Sequence, residues 1–141
     1  MQQSELYKTS KMKLMAAADF LALGLDLDGW PGWRNCSEKT KRDRFKRIYG
    51  AYPLTCESLW KDMQISTKED CRLDDNDNPK HLLLCLRFFW EYATEDKLCG
   101  RFQIRSEKTV RKWCRIYARR IHLLLPNKVR NRKTWLNSDS Q

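Results

Sequence analysis

Five long cations recur at helical spacing toward the C-terminal end of this 141-residue chain: Lys108, Arg111, Lys112, Arg115 and Arg119. Steps of three and four residues put side chains on one face of an α-helix. A row of ammonium and guanidinium groups so placed can neutralise successive phosphates. A guanidinium can also grip the O6/N7 edge of guanine through two parallel hydrogen bonds. Residues 101–133 hold twelve Lys or Arg and one acid, Glu107, so this stretch carries +11 while the whole chain sums to +10. An ordinary solvated helix face mixes signs for i,i+4 pairing, because like charges at these spacings repel. One sign concentrated in one place therefore points to an external polyanion.

The local sequence predicts the frame that carries these groups. Thr94 is an N-cap for a helix from Glu95 to about Phe102; Gln103, Ile104 and Arg105 form a turn; Ser106 caps a longer helix from Glu107 to about Leu124. Together they read as a helix-turn-helix over about 94–124, with Ile104 turned inward and Gln103 where a turn glycine is common. At about 100° per residue, Val110, Trp113, Cys114, Tyr117 and Ile121 form the core stripe. Lys108, Arg111, Lys112, Arg115, Arg119 and His122 cluster on the opposite side. Trp113 and Tyr117 are therefore core groups rather than base-stacking ones. The N-terminal end of a recognition helix meets base edges, while later cations hold phosphates. The candidate set is Arg105, Ser106, Lys108, Thr109, Arg111 and Lys112 at bases or flanking phosphates, with Arg115, Arg119 and Arg120 as backbone clamps.

The rest of the chain reads as helices joined by short connections, with only five Gly and four Pro. Ser37 caps a basic helix that runs through Phe45, Ile48 and Tyr49 to Gly50 and carries Lys39, Lys41, Arg42, Arg44, Lys46 and Arg47. This helix is a second, weaker candidate, with two readings left open: contact with phosphates beside the main helix, or a merely solvated face. Pro53 opens a short helix expected to bury Leu54, Leu59, Trp60 and Met63. An acidic loop from Gln64 to Asn78 is expected to be solvated and to end in an Asn78 N-cap. Pro79 opens a helix to about Tyr92 that is apolar around most of its circumference and should be buried. Residues 1–33 are expected to be an extension, with an amphipathic helix over Lys11–Leu23 ended by Gly24 and a turn-rich stretch at 26–33. The expected organisation is thus an extension (1–33), an all-α domain (34–125) and a basic tail (126–141).

Other chemistries find little support. The six cysteines form no CxxC pair, and neither His81 nor His122 completes a zinc-finger spacing, so no metal is expected. The DDNDN run at 74–78 lacks the glycine and the twelfth-position glutamate of a calcium loop; Pro79 and Leu86 stand there. Residues 14–25 lack a cleavage pattern and are too short and charged for a signal peptide or a bilayer span. Reduced thiols are therefore expected. No nucleophile–base pattern or phosphate loop is present, so the chain reads as a non-enzyme without a cofactor.

Three segments, RFKRIYGAYPLTCESLW (44–60), PKHLLLCLRFFWEYATEDKLCGRF (79–102) and EKTVRKW (107–113), follow one another in a familiar order. The shared features are an aromatic-Gly-x-x-Pro turn, an LW helix, PKHLL opening a buried helix, Y-x-T-E-D before the first motif helix, and KT-x-RKW in the second. This succession, covering roughly half of the chain, resembles the N-terminal region of Harbinger-like and related transposases of the DDE superfamily. The resemblance implies a helical domain that recognises the ends of a mobile element. In such relatives a catalytic domain with three metal-binding acids follows. Here the chain stops at Gln141 with no ribonuclease-H-like pattern, so no catalytic residue is carried over. The expectation is a non-catalytic binder of duplex DNA, such as transposon ends, acting in the nucleus with no membrane association. The alternatives are RNA binding and a protein-interaction or accessory subunit that docks a catalytic transposase.

Overall fold

Six α-helices and one short 3-10 turn, with no strand, make up residues 15–139, the part described by this computed structural model; side chains are described through Leu124. The fold is all-α. Its first helix, α1 (Ala17–Asp28), corrects the expected 1–33 extension, because Phe20, Leu21 and Leu25 lie in the shared core. Residues 11–14 of the expected helix lie outside the described residues. Nor does α1 stop at Gly24. The bare Cα there admits the rings of α2 (Glu38–Tyr49); a Cβ at Gly24 would sit 2.4 Å from Phe45 Cε2 and 2.8 Å from Tyr49 Cε2. The Tyr49 hydroxyl donates to the Gly24 carbonyl at 2.7 Å, which fixes the crossing. The helix ends instead at Gly29, in the left-handed conformation at φ 75°.

Ser37 caps α2 as expected, its hydroxyl accepting from the Thr40 amide at 3.2 Å, and Gly50 closes it at φ 74°. Helix α3 (Pro53–Ile65) buries Cys56, Leu59, Trp60 and Met63 at helical spacing. Leu54 faces solvent instead, because it lies about 200° from Cys56 on the helix. Trp60 sits at the centre, with Phe20 edge-on at 6.0 Å and Tyr117 stacked at 6.5 Å.

Asn78 caps α4 (Pro79–Glu91), accepting from the Lys80 amide at 3.0 Å. The first two turns are buried through His81, Leu82, Leu83, Leu84 and Cys85, but Phe89 and Trp90 emerge half-exposed, so the expectation of a wholly buried helix holds for its N-terminal part only. The preceding loop is also less solvated than its composition suggests. Cys71 and Asp77 are buried, since Asp77 meets partners on the last helix.

Thr94 caps α5 (Glu95–Phe102), and Ser106 precedes α6 (Glu107–Asp139). The 33-residue α6 passes the expected stop near Leu124, so no separate tail begins at 126 within the described residues. A proline inside a helix deletes one i→i−4 hydrogen bond and bends rather than necessarily ends it. All six cysteines are free thiols, and burial pushes those of Cys56 and Cys85 up to about 12, far from thiolate reactivity. No helix among the described residues is long and apolar enough to cross a membrane.

Candidate nucleic-acid interface

The α5–α6 connection is short because Gln103 takes the left-handed conformation (φ 55°, ψ 46°) that glycine would adopt without strain. Its neighbour Ile104 donates its amide to the Cys99 carbonyl at 3.0 Å and packs against the core. Ser106 then caps α6, its hydroxyl accepting from the Thr109 amide at 3.2 Å and lying 2.9 Å from the Thr109 hydroxyl. These two hydroxyls hold the helix entrance, so Ser106 is exposed and Thr109 half-buried beside the first cations.

On α6 the core stripe is Val110, Cys114 and Tyr117, all buried, with Ile121 partly so. Trp113 stacks on His81 at 3.8 Å between ring centroids. The opposite side carries Lys108, Arg111, Lys112, Arg115 and Arg119, every one exposed. A shallow concavity of about 540 Å³ opens among Lys108, Thr109, Arg111, Lys112, Arg115 and Ile116. At about 1.5 Å rise per residue, the ridge from Lys108 to Arg119 spans roughly 16 Å. Arg105 lies exposed in the turn just before it.

These cations differ in their partners. Arg105, Lys108, Lys112 and Arg115 have no acid within ion-pair distance among the described residues, and Lys112 lies 5.3 Å from the Trp113 ring centroid. Arg111 donates to Glu95 of α5 at 2.6 Å. Arg119 pairs with Asp70 at 3.3 Å, with both side chains about two-thirds exposed. Arg120 corrects the expectation of a backbone clamp. Its guanidinium is buried and donates to Asp77 at 2.6 Å, while Tyr117 donates its hydroxyl to the same carboxylate at 2.8 Å. Burial pushes the Asp77 carboxyl up. The Arg120 bond, the Asp74 amide and the Tyr117 hydroxyl outweigh it and hold the group below the usual carboxylate range.

The basic helix α2 supplies fewer available cations than its composition implies. Lys41 pairs with Glu38, and Arg44 donates to Asp28 at 3.0 Å and lies over the Trp30 ring. Lys39, Arg42 and Arg47 remain exposed.

Asp28 is a junction the sequence did not reveal. It also accepts from Arg87 of α4 at 3.5 Å and from Arg101 of α5 at 3.1 Å, and Arg101 donates to its backbone carbonyl as well. One buried carboxylate thus ties α1, α2, α4 and α5 together beneath the connection that presents α6. Among the described residues, no three His, Cys, Asp or Glu side chains converge as a metal site would require. No protein family, curated protein or solved structure matches this chain.

Proposed function

We propose that this chain is a non-catalytic, transposase-derived module that binds duplex DNA in the nucleus, with α5 and α6 acting as a helix-turn-helix and α6 entering the major groove. One observation carries the reading: five exposed cations on a single face of α6, beside a capped turn and opposite a buried stripe. Three of the five have no acidic partner among the described residues, so their mutual repulsion is relieved best by an external polyanion. A helix with one cationic face and one buried face suits the major groove of duplex DNA. An RNA reader of single strands offers exposed aromatics on its contact surface, whereas Trp113 here is stacked on His81.

The deciding experiment measures binding of a labelled random-sequence duplex at several salt concentrations. Wild type should show log K falling by roughly 0.9 per phosphate neutralised. Replacing Lys108, Arg111 and Lys112 together by Ala should weaken binding and shallow the salt slope by about 2–3, with helicity and melting temperature retained. An unchanged affinity in that variant defeats the proposal, and preference for RNA in a competition at fixed salt redirects it.

A second reading has its own support. Phe89, Trp90 and Tyr92 at the end of α4 are exposed aromatics, with Tyr92 at 88% exposure. Clustered exposed aromatics suit a protein partner, here a catalytic transposase. A transposase contact that survives nuclease treatment and is lost in a Phe89→Ala, Trp90→Ala variant would favour this accessory role.

A further inference from the structure

We infer that Glu95 is a specificity-determining positioning residue, one that holds the Arg111 guanidinium ready to read guanine. This deepens, and rests on, the duplex-DNA reading. Glu95 is the first residue of α5, fixed there by the Thr94 cap, and its carboxylate reaches across to Arg111 Nη1 at 2.6 Å. The Glu95 side chain is 23% exposed and that of Arg111 51%, so the anchor is the better-held partner and the guanidinium the better-presented one.

As a stabilising contact, a pair this exposed contributes little. Its geometry matters more. A guanidinium has five N–H donors in a planar fork, and Glu95 engages only Nη1. The Nε–H and Nη2–H groups, parallel to one another, have no partner among the described residues and match the spacing of guanine O6 and N7. A tethered arginine has less rotamer freedom to lose on meeting a base, so the correct base gains affinity that an incorrect one does not. Arg111 also sits in the second turn of α6, the part of a recognition helix that approaches base edges.

The other acid on the ridge behaves differently. Asp70 lies in the loop between α3 and α4 and meets Arg119 at 3.3 Å, with both side chains mostly exposed. That pair masks charge without orienting a donor at the groove end of the helix. The two acids therefore separate two effects: Asp70 lowers affinity for all duplexes alike, whereas Glu95 sharpens the difference between them.

The test starts from a consensus selected by the wild-type protein from a random duplex pool. Dissociation constants are then measured for wild type, Glu95→Ala, Glu95→Gln, Asp70→Asn, Arg111→Ala and the Glu95→Ala/Arg111→Ala double variant. Each is tested on the consensus and on duplexes with each guanine replaced in turn. Glu95→Ala should lose about tenfold in discrimination at one guanine while binding unrelated duplexes as tightly or more tightly. Glu95→Gln, which accepts a hydrogen bond without charge, should fall between. Asp70→Asn should tighten every duplex by a similar factor and leave the ratio unchanged. Arg111→Ala should lose discrimination at the same guanine, and the double variant should lose no more than Arg111→Ala alone. A clear consensus with Glu95→Ala discriminating within twofold of wild type overturns this inference alone. Wild type showing no duplex affinity overturns the DNA reading and this inference with it.

Discussion

Arg120 of α6 and Asp77 of the α3–α4 loop meet at 2.6 Å with both side chains buried, joining positions 43 residues apart. The Asp77 carboxylate is satisfied three ways: by Arg120, by the Tyr117 hydroxyl at 2.8 Å, and by the Asp74 amide at 2.7 Å. Tyr117 in turn stacks on Trp60, so this polar group is locked to the centre of the core. The base of the helix that bears the cationic ridge is thereby fixed to the acidic loop beneath it.

Breaking this pair from one side leaves an uncompensated buried charge. Arg120→Met should destabilise the fold by about 3–5 kcal/mol, and Asp77→Asn by a similar order. Because the two act as a unit, the double variant should cost clearly less than the sum of the singles in urea unfolding. Additive losses would show that the residues act independently. In the folded state Arg120→Met should leave the salt slope of duplex binding untouched, since the guanidinium is not on the outer face.

That arginine also shows how far the sequence could be read. On the helical projection Arg120 lies about 100° from Arg119, beside Trp113 rather than among the ridge cations. The angle was legible, but a count of positive charge in the segment concealed it. Local signals fared best. The Ser37, Asn78, Thr94 and Ser106 caps, the proline starts at 53 and 79 and the glycine stop at 50 all depend on near neighbours, and all appear in the fold. What escaped were pairings set by tertiary approach. Asp28 and Asp77 looked like turn and loop acids because their arginines come from 16 to 73 residues away. Gly24 looked like a stop because a glycine that admits a neighbouring helix and one that ends its own look the same in one dimension.

Asp28 offers a second test of tertiary pairing. Its carboxylate is 7% exposed and faces Arg44, Arg87 and Arg101. Asp28→Asn should leave the three guanidiniums short of a counter-charge. The expected loss is roughly 2–3 kcal/mol, below the range for a fully buried pair because Arg44 and Arg101 retain solvent access. Raising the salt concentration should recover part of the lost stability as chloride screens the arginines. A variant as stable as wild type at low salt would show that the junction is solvated rather than structural.

Gly24 gives a prediction opposite in sign to helix propensity. In an exposed helix, Gly→Ala is worth about 1 kcal/mol of stabilisation. At this crossing the new methyl would meet Phe45 Cε2 at 2.4 Å and Tyr49 Cε2 at 2.8 Å, and both rings are fully packed. Overpacking of this kind costs about 1–3 kcal/mol. Gly24→Ala should therefore lower the melting temperature, and Gly24→Ala with Phe45→Leu should recover part of it by vacating the contested volume. A melting temperature raised by Gly24→Ala alone would mean that α1 and α2 can separate at little cost.

His81 should set the acid limit of the fold. Its ring stacks on Trp113 at 3.8 Å, and its Nδ1 accepts from the Asn78 amide at 3.2 Å, an arrangement that requires the neutral imidazole. Burial lowers its pKa from the ordinary 6.5 of histidine to about 4; Lys80, Arg120 and Lys112 push the same way, and Asp77 opposes them. Between those two values the unfolded chain holds a proton that the folded chain does not. Stability from this group is therefore complete above pH 6.5 and lost progressively as pH falls toward 4, by roughly 3 kcal/mol in total. Asp77 acts in a separate window: its lowered pKa gives stability that is complete above about 3.8 and lost below it. Asn at position 81 keeps an acceptor near the Asn78 amide but does not titrate. Urea unfolding from pH 7 to pH 4.2 should thus show a shallower decline for His81→Asn than for wild type. Parallel declines would place the acid sensitivity in the surface carboxylates instead of this ring.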